Sequence, residues 1–253
     1  MKLNYRQYSE AGEPVIIMHG LFGSIANWNR IATTLSAQFQ VYSIDARNHG
    51  KSPHDDAMNY TVMMQDLADF LIAMSLDNVC IIGHSMGGKA SMLLALEYPE
   101  LVKKLVIVDI APVNYQHEFD TVINALKKID LNNLASRTEA EKQLAESFSQ
   151  PLFRQFLLQN LVKKEQQYQW RINIEAIENN IASIVGFPDI KKQNDHPALF
   201  IYGTKSDYVT SQHQLTTQNY FPVAEFFPLD GASHWLHIEQ PELFLKEVVK
   251  FIK

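Results

Sequence analysis

Five short runs of consecutive apolar, mostly β-branched residues punctuate the chain: Val15–Met18, Val41–Ile44, Val79–Ile82, Leu105–Val108 and Leu199–Tyr202. Runs that are apolar on adjacent positions, rather than alternating, predict strands buried on both faces. Between them the apolar positions take helical spacing over Asn27–Ser36, Thr61–Met74 and Ser85–Tyr98. Strands alternating with helices predict an α/β fold with a mostly parallel central sheet flanked by helices. The alternation stops after Pro112 and resumes at Pro197. The stretch between is rich in Gln, Asn, Lys, Glu and Leu, and its spacing offers helices only, over Glu118–Ile129, Thr138–Ser147, Leu152–Asn160 and Glu175–Val185. We therefore expect a core from residues 1–111 and 196–253, with 112–195 inserted as an all-helical cap. Aromatics in that insertion, among them Phe119, Phe148, Phe153 and Phe156, predict a surface that packs on something.

Composition narrows the function. Apolar residues are 46% and charged residues 20% of the 253, and the formal charge is −6. A nucleic-acid binder needs a cationic excess to displace phosphate counterions, so that class is disfavoured. The only cysteine, Cys80, lies inside an apolar run and reads as a small buried hydrophobe. The first eight residues lack the apolar core of a signal peptide. The charge-free stretches 14–29 and 208–224 are too polar to span a bilayer. The expectation is a cytoplasmic protein, monomeric or a small homo-oligomer, working without membrane or nucleic-acid partners.

The chemistry starts at Gly83-His84-Ser85-Met86-Gly87. This Gly-x-Ser-x-Gly follows a strand and opens a helix, so a sharp turn with no room for flanking side chains lifts the Ser85 hydroxyl above the sheet edge. Serine needs a base within hydrogen-bond reach. Of nine histidines, His234 stands on a glycine-containing loop after the apolar run Phe226–Leu229, placed to reach over the sheet edge; His237 is its near competitor. A carboxylate must hold the imidazole in the right tautomer. Asp207, just past the strand Leu199–Tyr202, gives the chain order Ser85, Asp207, His234 expected with this elbow. Asp109, ending the strand Leu105–Val108, is the alternative. An oxyanion needs fixed donors: the N–H of Met86, and one from the loop His19–Gly23, at Leu21 or alternatively Phe22.

The ensemble of the His19-Gly20 loop, the elbow, the late Asp and His and an insertion in the gap resembles the α/β-hydrolase fold superfamily over nearly the whole chain. Arg47-Asn48-His49-Gly50, His84-Ser85-Met86-Gly87-Gly88-Lys89 and Val108-Asp109-Ile110-Ala111-Pro112 resemble the small bacterial esterases of the YbfF type, a group similar to a mitochondrial abhydrolase of animals. Many relatives carry Gly where Asn48 stands; Asn tolerates left-handed backbone nearly as well. The resemblance implies a carboxylic-ester hydrolase with a small-molecule ester substrate, no cofactor and no metal. The alternatives are a carbon–carbon hydrolase or lyase on the same triad, or a non-catalytic ligand-binding protein on this fold. Relatives that are dehalogenases or epoxide hydrolases use Asp where Ser85 stands. Phe22, Phe119, Phe153 and Trp235 are expected to line an apolar site for short to medium acyl chains, with thioesters kept open.

Overall fold

The computed structural model describes residues 1–116 and 119–253. In chain order, β1 (Tyr5–Gln7), β2 (Pro14–Met18), α1 (Ile25–Leu35), β3 (Gln40–Ile44), α2 (Tyr60–Ala73), β4 (Val79–His84), α3 (Met86–Glu97) and β5 (Val102–Val108) come first. The inserted segment follows as α4 (Asp120–Lys128), α5 (Arg137–Ala145), α6 (Pro151–Leu158), β6 (Leu161–Lys164), β7 (Gln167–Trp170), α7 (Ile174–Asn179) and α8 (Ile181–Val185). The chain then returns through β8 (Ala198–Gly203), α9 (Ser211–Gln218), β9 (Glu225–Leu229), α10 (Leu236–Glu239) and α11 (Pro241–Ile252). The helix expected from Glu118 starts, as far as the described residues show, at Asp120; Glu118 itself lies outside them.

One seven-stranded sheet runs β1-β3-β2-β4-β5-β8-β9, parallel throughout except for the antiparallel edge strand β1. The consecutive apolar residues divide strictly between its faces. Ile16, Met18, Ile81, Leu105 and Ile107 join the packing with α2 and α3. Val15, Ile17, Cys80, Ile82, Val106 and Val108 join Trp28 of α1 and Phe244 of α11 on the other side. Successive side chains on a strand point to opposite faces, so a strand buried twice is apolar at nearly every position; Ser43 of β3 is a buried polar exception. Burial also pushes the Cys80 thiol up to about 11.

The inserted segment is not all helical. Strands β6 and β7 form an antiparallel hairpin in which Lys164 faces Gln167. The two residues between them, Glu165 and Gln166, have φ of 47° and 70°. A two-residue loop with both central residues at positive φ is the turn that matches strand twist, and it is ordinarily marked by Asn-Gly or Asp-Gly. Glu-Gln gives no such mark, Leu-Val-Lys-Lys does not alternate, and the alternation of Gln-Tyr-Gln-Trp lasts only four residues. Strand β1, short and with no buried residue, is likewise invisible to a search for buried runs.

Behind the sheet edge, the loop after β3 is fixed by charge. Arg47 donates to both oxygens of Asp66 on α2, Nε to Oδ2 at 2.6 Å and Nη2 to Oδ1 at 3.0 Å, and Nη1 donates to the Ala57 carbonyl at 2.8 Å. Both side chains are buried. Asn48 follows at φ 63°, and His49 is brought under the loop after β2. Truncating one partner of a buried ion pair strands the other charge, at a cost of about 3–5 kcal/mol. Asp66→Ala is therefore expected to lower unfolding free energy by that amount in urea titrations; a loss below about 1 kcal/mol would show that the pair does not hold the loop.

Candidate active site

Strand β4 ends at His84 and β5 at Val108, and these two residues are partners in the sheet ladder. Ser85 and Asp109 therefore leave the sheet side by side. The Ser85 N–H donates to the Val108 carbonyl at 3.1 Å and the Asp109 N–H to the Ile201 carbonyl at 2.8 Å, so each ladder continues one bond past its strand. Both residues then turn left-handed, with φ of 50° and 52°. Such backbone costs a residue other than glycine on the order of 1–3 kcal/mol and persists only where its surroundings hold it. The two extra ladder bonds do so here.

Asp109 is fully buried. Its Oδ1 accepts from the Gly203 N–H at 3.1 Å, and its Oδ2 accepts from the Ser206 hydroxyl at 2.5 Å and from His234 Nδ1 at 2.7 Å. With its Nδ1 proton given to Asp109, His234 keeps the Nε2 lone pair for a second partner. The His234 ring packs against Tyr208 at 4.3 Å and His84 at 4.6 Å between centroids. His84 Nε2–H also donates to the His234 carbonyl at 3.0 Å.

Asp207 does not meet His234. It is exposed, and its loop presents Gly203 and Ser206 to Asp109 instead. The expectation that Asp207 meets the imidazole is corrected: the carboxylate on His234 Nδ1 is that of the alternative, Asp109. Both carboxylates follow a strand at the same sheet edge; the left-handed turn at Asp109 tucks its carboxylate beneath the loop that carries Asp207. His237 is removed from competition as well. It is buried and stacked on Trp28, 4.2 Å between centroids and 5° between planes.

The loop after β2 comes close to the nucleophile. A Cβ on Gly20 would lie 2.8 Å from His84 Nδ1 and 3.1 Å from Ser85 Cβ, an approach that only glycine permits. Phe22 sits at φ 60°, and its N–H donates to His49 Nε2 at 3.0 Å. That amide is committed. Among the described residues the Leu21 N–H has no acceptor, nor has Met86 at the first position of α3. These two are the amides left to receive an oxyanion beside Ser85.

Ser85 and His234 open into one cleft of about 260 Å³ that is also lined by Phe22, Phe119, Phe153 and Trp235. Phe153 and Phe156 of α6 each lie 5.7 Å from the Trp235 ring, so the inserted aromatics pack directly on the core. Sequence reasoning missed Tyr208, Asn160 and Lys89. Lys89, in the first turns of α3, is buried, and its Nζ donates to the carbonyls of Val113, Val185 and Gly186 at 2.6–2.9 Å. It ties the nucleophile's helix to both ends of the inserted segment, and burial pulls its ammonium down to about 7. A lysine inside the apolar stretch Met86–Leu96 was the available signal. Among the described residues no group of three or more His, Cys, Asp or Glu could hold a metal ion, and no helix is long and apolar enough to cross a membrane.

The alpha/beta hydrolase fold family matches residues 13–241. Esterase YbfF of Escherichia coli (strain K12) is 37% identical over all of this chain and 99% of its own length. The sn-1-specific diacylglycerol lipase ABHD11 of Danio rerio is 38% identical over all of this chain and 83% of its own. A marine microorganism esterase of known structure superposes with a TM-score of 0.97 at 43% identity, covering 99% of both chains.

If Asp109 orients His234, Asp109→Asn should lower kcat about ten-thousandfold through the wrong imidazole tautomer, while Asp207→Asn should stay within a few fold of wild type; the reverse pattern would reinstate Asp207. A second expectation concerns acid. Burial holds His19, His49, His84 and His237 below their ordinary values, His49 and His237 at about 3. In the unfolded chain each takes a proton near pH 6.5. Below that pH the unfolded state binds more protons, so stability falls with pH by about 1.4 kcal/mol per unit for each group. Urea midpoints should drop steeply from pH 6.5 to 4.5; a flat profile would mean that these imidazoles are not buried neutral.

Proposed function

The chain belongs to the alpha/beta hydrolase fold family, and we propose that it hydrolyses carboxylic esters of short to medium acyl chains through an acyl-enzyme on Ser85. The observation that carries this reading is the hydrogen bond between buried Asp109 and His234, whose ring opens on the same cleft as Ser85. His234 Nε2 takes the Ser85 proton as Oγ attacks the acyl carbonyl. Negative charge gathers on the carbonyl oxygen, where the Leu21 and Met86 amides receive it. Asp109, held by three donors, does not move; it stabilises the imidazolium and keeps its tautomer. The imidazolium then gives its proton to the departing alcohol. In the second half the same imidazole takes a proton from water as it attacks the acyl-enzyme, then gives that proton to Ser85 Oγ as the acyl–oxygen bond breaks and the acid leaves.

The substrate class follows from the walls. The cleft is mainly aromatic and lies below the roughly 300–1,000 Å³ usual for drug-sized ligands. Phe119 and Phe153 reach it from the inserted segment, which we read as a cap over the acyl group. An apolar acyl chain of modest length fits; the names of the relatives, two of them esterases and one a lipase, point to the same bond. Thioesters offer the same carbonyl to the same machinery.

Hydrolysis of p-nitrophenyl esters from acetate to palmitate should show an optimum at short to medium chains. Ser85→Ala should lose at least about four orders of magnitude at every length. A rate unchanged in Ser85→Ala would remove the acyl-enzyme, and an optimum at palmitate would remove the assignment of chain length.

A further inference from the structure

Phe22 is the strained point of the loop that approaches Ser85. A bulky aromatic at φ 60° is a genuine outlier, and it is gripped from two directions. On the core side its N–H donates to His49 Nε2 at 3.0 Å. The His49 ring is itself fixed, with Nδ1 bonded to the Arg47 carbonyl at 2.9 Å. On the other side its carbonyl accepts from Asn160 Nδ2 at 2.7 Å, and Asn160 belongs to the inserted segment. The two bonds clamp the peptide units before and after Phe22. The Leu21 N–H lies one peptide upstream.

Asn160 is built for this contact. It stands between α6 and β6 and is buried. Its carbonyl accepts from the Arg171 N–H at 2.8 Å, closing the base of the hairpin. Its Nδ2 bonds both the Phe22 and the Leu157 carbonyls. Two carbonyl neighbours fix the amide's orientation, since the opposite flip would set oxygen against oxygen. Its Oδ1, buried, has no hydrogen-bond partner. A half-satisfied buried amide is a poor stabiliser, and an apolar residue would fill the space without that cost. What only an amide or a similar donor supplies is the hydrogen bond to Phe22.

We propose that Asn160 is a positioning residue for the oxyanion: the inserted segment, through its side chain, holds the loop of Phe22 so that the Leu21 N–H meets the developing charge beside Ser85. The cleft is then complete only when the insertion is seated, because one of its walls sets the donor geometry on the core. This rests on the ester-hydrolase reading.

The test uses Asn160→Asp, nearly isosteric but without the N–H donor, and Asn160→Ala. Three readouts are compared with wild type: kcat and KM on the best p-nitrophenyl ester, affinity for an alkyl trifluoromethyl ketone, and thermal unfolding. The ketone carbonyl takes up Ser85 Oγ while the serine proton passes to His234, leaving a hemiketal oxyanion with no leaving group, so it reports on the donors without turnover. Outright loss of an oxyanion donor costs about a hundred- to thousandfold; a displaced donor should cost about ten- to a hundredfold. The expected result is that fall in kcat with KM within about threefold, a ketone affinity weakened by a similar factor, and both variants folded at the assay temperature. Overturning results are kcat and ketone affinity within about twofold of wild type in both variants, or a loss confined to KM. Were wild type to show no Ser85-dependent ester turnover, the ester-hydrolase reading would fail, and ketone affinity would still decide the role of Asn160.

Discussion

The register of two neighbouring parallel strands governs this site. Because His84 pairs with Val108, the next residue on each strand, Ser85 and Asp109, emerges at the same height of the sheet's carboxyl edge. Each makes one more ladder bond and then reverses with left-handed backbone. Slide β4 by a single residue and the serine would exchange faces. Everything else at the site is arranged around that pair: β8 and its loop supply Gly203 and Ser206 to the carboxylate, and the loop after β9 brings His234 down to it.

Around this centre the protein keeps imidazoles neutral and uses them as fixed two-ended connectors. His19 bridges the Gly20 carbonyl and the Ala46 amide, and His49 bridges the Arg47 carbonyl and the Phe22 amide. In both, one ring nitrogen meets a carbonyl and so donates, while the other accepts. Protonation would leave the donor role intact but abolish the acceptor role, breaking the bonds from the Ala46 and Phe22 amides. Burial, which holds both below the ordinary histidine value, is thus a condition for the loop after β2 to keep its shape. A charged support, the Arg47–Asp66 pair, anchors the loop that carries His49.

What could be read from the sequence was what depends on local pattern. Strands buried on both faces announce themselves by unbroken apolar runs, and the elbow at Ser85 by glycines where side chains cannot fit. His234 was legible from its loop and its place in the chain order. Asp109 against Asp207 was not, since both follow a sheet strand at the same edge. The difference lies in which backbone turns left-handed and which neighbour offers donors, and these are tertiary facts. The hairpin at Leu161–Trp170 was hidden because Glu165 and Gln166 adopt positive φ without a glycine or asparagine to signal it. Asn160 was hidden among the many asparagines and glutamines of the insertion; only its contact with Phe22 distinguishes it.

The site stands on the bond between Asp109 and His234, and proton NMR can observe that bond directly. A histidine Nδ1 proton donated to a buried carboxylate is expected far downfield and protected from exchange. The prediction is one such resonance in wild type, retained in Asp207→Asn and abolished in Asp109→Asn and His234→Ala. A resonance that survived Asp109→Asn but vanished in Asp207→Asn would contradict the arrangement described here and move the acid to the other strand.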